Sequence, residues 1–388
     1  MSNDLKRIQS AIIAALSQHT AHNYRASTAV IKGIHEKVDA LAEQAVSKLV
    51  AQLERLSVNE ITAFTQGKYT TPRLKALKAE IDNWATMLDQ IIKSEWDKSA
   101  IGLADHETSF MSKTMSQAFD SLPKVNVSAE AVLAAVKREP IMGQFVDEML
   151  SSISKSQRDR IYATMRQGFQ SGKTNSQVIR DIIGTQALNF KDGLTQLTKR
   201  DIERVVRTSR NHLSSVAYED TYKQLGVKYV VRVATLEGRT CIACASLDGK
   251  VYKIGDPKPP ATLHFNCRCQ YGPSFDGEIV GNRPFVRALK VRKRDGSNRF
   301  RGIDDMTKKQ REDAGLKVGQ VQAKTTYAKW FKNQDAAFQK QWLGKTRYEL
   351  YKKGELSIDR FADPLGKQYT LEELRKRDAE TFKAVFGD

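Results

Sequence analysis

All four cysteines of this 388-residue chain lie between Cys241 and Cys269, and this crowding constrains the fold more than any other feature of the sequence. They form two pairs, Cys241 with Cys244 and Cys267 with Cys269, and His264 precedes the second pair by three residues. A CxxC pair on a tight turn directs two sulfurs at one point, and residues at i and i+2 of an extended segment face the same side. We therefore predict that these five side chains meet in one small module.

The stretch between the two pairs contains a turn signal. Asp248-Gly249 is flanked by apolar residues, which predicts a β-hairpin that folds the chain back and joins the two sulfur pairs. Just upstream, the β-branched residues of 229–234 predict a strand, and the apolar spacing of 198–225 predicts a helix on which the module rests. Together these segments predict a small α+β unit.

Thiolate sulfur and imidazole nitrogen are the usual ligands of structural Zn²⁺, which is held in a closed tetrahedral site. Cys241, Cys244, Cys267 and Cys269 are the predicted ligands, with His264 as a substitute for one of them or as a hydrogen-bond donor to one. A metal would also support a unit too small to bury much core. Two other interpretations stay open: small buried hydrophobic side chains, and disulfides if the protein meets an oxidising environment.

Length and composition restrict the class of protein. A chain of 388 residues exceeds the size of a single core, so we expect two or three domains. No apolar run approaches the roughly 20 residues that a spanning helix needs, and the first residues lack the basic and then apolar order of a secretion signal. We therefore expect folding in a cytoplasm, where metal binding or free thiols are favoured over disulfides.

The net charge of +18 indicates a polyanionic partner, and DNA is the first candidate. The densest basic segment lies shortly after the last cysteine. It contains Arg283, Arg287, Lys290, Arg292, Lys293, Arg294, Arg299 and Arg301. We interpret it as a phosphate-binding strip whose affinity falls steeply with salt, or alternatively as a solvated linker with incidental charge.

The first 120 residues predict helices with one interruption. Apolar residues recur at helical spacing from Leu74 to Ile92, which is typical of the core of a helical bundle, or of a long arm that docks on another protein. Near the other end, aromatic residues share one helical face, and we expect a lobe core rather than a base-stacking platform. These aromatic residues are Trp330, Phe331, Phe338 and Trp342.

The predicted fold is mainly α with a small α+β cysteine-rich module. We expect a helical N-terminal region at 1–122, a core at 123–275 that contains the Cys/His module at 228–270, a basic linker at 276–325, and a helical C-terminal lobe at 326–388. The break near Pro123 and the return of helical spacing at 326 set these boundaries.

The order of several motifs carries a resemblance to a known family. The motifs are Arg239-Thr240-Cys241-x-x-Cys244, Leu247-Asp248-Gly249-Lys250-x-Tyr252, Pro259-Pro260 and His264-x-Asn266-Cys267-Arg268-Cys269, preceded by Arg207-Thr208. They resemble the signature of phage head morphogenesis proteins, the Mu F-like minor head proteins, over about 156–269. Glu237-Gly238 departs from the aspartate pair expected in that family, and Ser209 stands where an acidic residue often follows.

This resemblance implies a structural protein of the virion. It implies a minor head protein near the portal vertex that binds the portal protein and other head proteins, contacts packaged DNA, and serves head assembly and genome delivery. It also implies host cytoplasm as the place of assembly, and neither a membrane nor a small-molecule substrate as partner.

We expect no enzyme, because the chain lacks HExxH, GxSxG, Walker and dinucleotide-binding motifs. The alternative is a metal-dependent nucleic-acid-processing enzyme, delivered with the genome, that uses His264 beside a bound metal. Four thiolates around that histidine favour a closed structural site over an open catalytic one.

Overall fold

The computed structural model describes residues 3–118, 127–185, 192–274, 281–287, 291–292, 298–299, 307, 309 and 316–387. The described chain is mainly helical, with short strands in small sheets, which confirms the predicted fold class. None of the described helices combines the length and apolarity needed to cross a membrane.

Two very long helices dominate the N-terminal region. Helix α1 covers Asn3–Leu53, α2 covers Val58–Thr65 and α3 covers Pro72–Ala118. Helix α2 begins at a capping box formed by Ser57 and Glu60. The apolar stripe of α3 is buried against α1 and the helices that follow, as the bundle interpretation predicts. Its buried members are Leu74, Leu77, Ile81, Trp84, Leu88 and Ile92.

The next four helices share their core with α1 and α3. They are α4 (Ala129–Arg138), α5 (Val146–Gln170), α6 (Asn175–Ile183) and α7 (Leu194–Gln224). Trp96 of α3 is fully buried, and its indole N–H donates to the Ser209 hydroxyl of α7 at 2.7 Å. The predicted boundary at 122/123 lies outside the described residues, and the helices on its two sides belong to one hydrophobic core.

The cysteine module follows α7. Strand β1 (Tyr229–Val233) lies at the centre of an antiparallel sheet, between β3 (Val251–Lys253) and β4 (Gln270–Ser274). The short strand β2 (Leu236–Glu237) leads into helix α8 (Ile242–Leu247). The predicted hairpin is wrong in its first half, because the residues before Asp248-Gly249 form α8 and β3 pairs with β1. A capped CxxC segment satisfies its backbone locally as a helix and therefore needs no strand partner.

The C-terminal lobe packs on this module. Strand β5 (Asn282–Arg287) joins β2 in parallel and β8 (Lys317–Gln322) in antiparallel register, and β6 (Val291–Arg292) pairs with β7 (Asn298–Arg299). Five helices are described after β8: α9 (Tyr327–Lys332), α10 (Ala336–Leu343), α11 (Lys345–Lys352), α12 (Leu371–Arg377) and α13 (Ala379–Phe386), with a 3₁₀ turn at Ile358–Phe361. The four aromatic residues form the lobe core as predicted, since Trp330, Phe331 and Phe338 are buried and Trp342 packs against them. The prediction of one helical face is wrong, because Asp335 caps a new helix and divides them between α9 and α10.

Candidate metal centre

The first cysteine pair is positioned by a helix start. Cys241 has extended backbone and is the N-cap of α8, where its sulfur accepts a hydrogen bond from the Cys244 backbone N–H at 3.3 Å. A capping side chain necessarily points over the first turn, and Cys244 lies on that same turn. The CxxC spacing therefore brings both sulfurs to one end of α8.

The second pair reaches the same point from the segment before β4. The sulfurs of Cys244 and Cys267 are 3.7 Å apart, and Cys269 completes a group of three whose sulfurs all lie within 4.8 Å of one another. Cys241, Cys244 and His264 form a second such group. Cys244 is common to both groups, so the convergence predicted from sequence is confirmed.

The spacing suits a tetrahedral metal ion. With Zn–S bonds of about 2.3 Å, two sulfurs of a tetrahedral site lie roughly 3.8 Å apart, close to the 3.7 Å between Cys244 and Cys267. All four thiols are free, so the disulfide interpretation finds no support in this structure. Cys244, Cys267 and Cys269 are almost fully buried, which gives a closed site.

His264 is oriented as a ligand histidine would be. Its Nδ1 lies 2.8 Å from the Phe265 carbonyl oxygen, which can only accept, so Nδ1 carries a proton. Its Nε2 faces the sulfurs, 3.2 Å from that of Cys244. A backbone carbonyl on the outer nitrogen is the usual way in which a protein directs a metal-binding imidazole. With four cysteines, His264 makes a fifth donor at the site.

The site is built to hold positive charge among the sulfurs. The hydrogen bond with Cys244, assisted by nearby His264, lowers the pKa of the Cys241 thiol to about 5. Burial alone would lower the pKa of His264, but its hydrogen bonds with Cys241 and Cys267 outweigh burial and raise that pKa to about 11. The pKa of the Cys267 thiol is also lowered, so a positively charged His264 beside Cys241 and Cys267 supplies part of the charge that a metal ion would bring.

Arg232 is a residue of this site that sequence reasoning missed. It lies in β1, is completely buried, and points its guanidinium at the cluster, with Nη2 3.9 Å from the Cys244 sulfur. The same guanidinium donates to the carbonyl oxygens of Pro260 and Ala261 at 2.8 and 3.0 Å. Burial acts to lower its pKa, but the surrounding cysteines raise it overall. Arg232 therefore places a positive charge beside the sulfur cluster.

Two arginines of the predicted phosphate-binding strip have acidic partners inside the fold. Arg283 is buried and forms an ion pair with Asp248, and Arg287 forms one with Asp335. Their burial assigns them to the architecture of β5, because a buried guanidinium is already desolvated and paired. The other six residues lie outside the described residues or have side chains that the structure does not describe, and for them the strip stays a prediction.

The fold and this centre define a mainly helical protein whose small module encloses a cysteine and histidine cluster. Residues 159–271, from within α5 to within β4, match the family described as Phage Mu protein F like protein. This match confirms the resemblance drawn from the motifs.

A relative from another organism matches part of this chain. An uncharacterized protein of Haemophilus influenzae (strain ATCC 51907 / DSM 11121 / KW20 / Rd) is 26% identical over 145 residues, which make up 36% of this chain and 30% of that protein. The match thus spans less than a third of the relative's length. No solved structure matches this chain.

Proposed function

We propose that this chain is a non-catalytic minor head protein of a bacteriophage virion, and that its Cys/His cluster holds a structural Zn²⁺. The observation that carries the proposal is a coincidence of position: the family match at 159–271 ends just after the segment in which five metal-binding side chains converge. Cys241, Cys244, Cys267 and Cys269 are the proposed ligands, with His264 able to replace one of them.

A structural role follows from where the module lies. It is packed between α7 and the C-terminal lobe, whose Trp342 indole donates to the Thr240 carbonyl at 2.8 Å and whose Tyr327 hydroxyl donates to the Glu237 carbonyl at 3.0 Å. A metal here would fix the segment that joins the two regions. The closed, buried sulfur set leaves little access for a substrate, which argues against the metal-dependent nuclease alternative.

The proposed partners are the portal protein, other head proteins and packaged DNA. The basic segment at 288–301 and the net charge of +18 support a DNA contact that weakens with salt. By the same proposal the protein is assembled in the host cytoplasm, lies near the portal vertex and assists genome delivery.

The metal and the absence of catalysis are tested together. Elemental analysis of the purified chain should find about one zinc per protein, and Cys267→Ser should lose it. Labelled DNA incubated with the wild-type protein and divalent metals should be bound in a salt-sensitive way and left intact. Cleavage that disappears in His264→Ala would establish the enzyme alternative and overturn the structural role.

The portal contact is tested with full-length variants, because α1 and α3 share their core with α5 and α7 and a deletion would unfold it. Val58 and Ile101 are exposed apolar residues of the helical N-terminal region, and Leu365 is a comparably exposed one in the C-terminal lobe. If the helical region docks on portal, Val58→Asp with Ile101→Asp should abolish co-purification with the portal protein, and Leu365→Asp should retain it. The reverse result would assign the contact to the C-terminal lobe.

A further inference from the structure

A small cavity beside the cysteine cluster is lined by a buried arginine whose Nε has no hydrogen-bond partner. The cavity lies between α1, α7 and the segment that precedes β4, and Arg210 of α7 lines it. Arg210 is 8% exposed, and its buried Nε has no hydrogen-bond acceptor within the described part of the chain. A guanidinium N–H that is removed from water without an acceptor is destabilising, so such groups normally have a partner.

The carboxylate that attracts Arg210 already has hydrogen-bond partners. Glu107 attracts Arg210 through space, but its oxygens accept hydrogen bonds from His19, Asn23 and Tyr218. Burial accordingly lowers the pKa of Arg210, and Glu107 opposes that shift without cancelling it. The charge of Arg210 is thus only partly balanced by the protein.

Two further arginines line the cavity. Arg207 and Arg268 line it with Arg210, and no carboxylate lines it among the residues that the structure describes. The Arg207 guanidinium donates hydrogen bonds to the Tyr24 carbonyl and the Ser27 hydroxyl, and it forms an ion pair with Glu203. Arg268 pairs with Glu237, yet its buried Nε has no acceptor. Two arginines that each have a buried Nε without an acceptor therefore line one cavity.

The size of the cavity limits what can occupy it. It offers about 20 Å³ to the centre of a water-sized particle, which compares with the roughly 10–15 Å³ needed for one water molecule. We propose that this cavity is a binding site for one small inorganic anion of the size of chloride, held by the Arg210 guanidinium and by Arg268 Nε. The anion supplies the acceptor that the protein lacks.

Such an anion would join three parts of the fold. Thr20 and Asn23 of α1, Arg210 of α7 and Cys267 beside the metal ligands all line the cavity. A charge bound there holds the long N-terminal helix against the Cys/His module. The anion is therefore a structural component at the contact between these regions, independent of any role in the virion.

The direct test uses crystals of the full-length protein soaked in sodium bromide, because bromide replaces chloride and is located by its anomalous scattering. The expected result is an anomalous peak in the cavity, in contact with the Arg210 guanidinium. A water molecule in place of the peak, or an Arg210 side chain hydrogen-bonded to Glu107, would overturn the proposal. This test does not depend on a variant that folds.

Solution measurements supply the second test. The ³⁵Cl NMR line of chloride should be broadened by the wild-type protein, and Arg210→Gln should lose that excess broadening. Arg204→Gln is the matched control, since Arg204 lies on the same helix but is exposed and pairs with Asp201. Equal broadening by wild type and Arg210→Gln would contradict an anion site at Arg210.

Discussion

The Arg283 guanidinium donates to both oxygens of the Asp248 carboxylate, at 2.9 and 3.1 Å, and both side chains are excluded from solvent. The same carboxylate accepts the backbone N–H groups of Ala234 at 2.7 Å and Tyr327 at 2.6 Å. One aspartate thus connects the end of β1, the strand β5 and the first helix of the C-terminal lobe. Asp248 therefore holds the cysteine module and the lobe together.

We predict that Asp248→Asn destabilises the protein by about 3–5 kcal/mol, because it leaves the Arg283 charge buried without its counter-ion. Urea unfolding followed by tryptophan fluorescence measures the loss, since Trp330 and Trp342 lie in the attached lobe. The control is Glu372→Gln, which removes an exposed ion pair with Lys376 and should change stability by less than about 0.5 kcal/mol. Equal effects of the two substitutions would show that the buried pair contributes little.

Arg232→Met should weaken metal retention. The substitution keeps an unbranched side chain in β1 but removes the positive charge that faces the sulfurs of the cluster. Loss of a group that supports metal ligands usually lowers affinity about 10–100-fold, so zinc should pass to a chromogenic chelator at lower chelator concentration. Arg239→Met, which removes an exposed arginine of the same module, should retain zinc like the wild type. Unchanged retention in Arg232→Met would contradict the role of Arg232 as counter-charge.

Acid should destabilise the protein through His212. Burial lowers the pKa of this imidazole to about 4, and its hydrogen bond to the Glu139 backbone only partly opposes that shift. Because the folded pKa lies below the ordinary value of about 6.5, the contribution of neutral His212 is complete above that value and disappears as pH falls toward 4. The expected loss is about 3 kcal/mol.

Unfolding measured between pH 7 and 4 checks this prediction. His212→Gln should flatten the pH dependence, whereas His106→Gln, at an exposed position, should leave it as in the wild type. A pH dependence that persists unchanged in His212→Gln would assign the acid sensitivity to other groups.

Two helical glycines should respond to alanine in opposite directions. At Gly102 in α3 a Cβ atom meets nothing within 4 Å, so Gly102→Ala should stabilise the protein by about 0.5–1 kcal/mol through helix propensity. At Gly168 in α5 the new atom would lie 2.7 Å from Cγ2 of Val178, so Gly168→Ala should cost about 1–3 kcal/mol as α6 is pushed away. Urea midpoints of the two variants provide the comparison, and a stabilising Gly168→Ala would show that α6 moves freely.

Much of the architecture was determined by local features of the sequence. The apolar stripe of α3 lies within one helix, so its period was enough to predict it, and the aromatic residues of the C-terminal lobe were predicted to form its core. The convergence of the four cysteines and His264 was also predictable, because five such side chains in one short segment have little reason to be there except to meet.

Only the tertiary structure decided which charges are buried and what they face. Arg232 in a strand of valines, and Arg283 within a basic segment, look in the sequence like surface residues, yet one faces the sulfurs and the other pairs with Asp248, 35 residues earlier. Only the tertiary structure also showed that the residues before Asp248 form the helix α8 and not a strand, and that β3 pairs with β1. The physical reason is that a period or a cap is a property of neighbouring residues, whereas the free energy of a buried charge depends on partners that only the folded chain brings near.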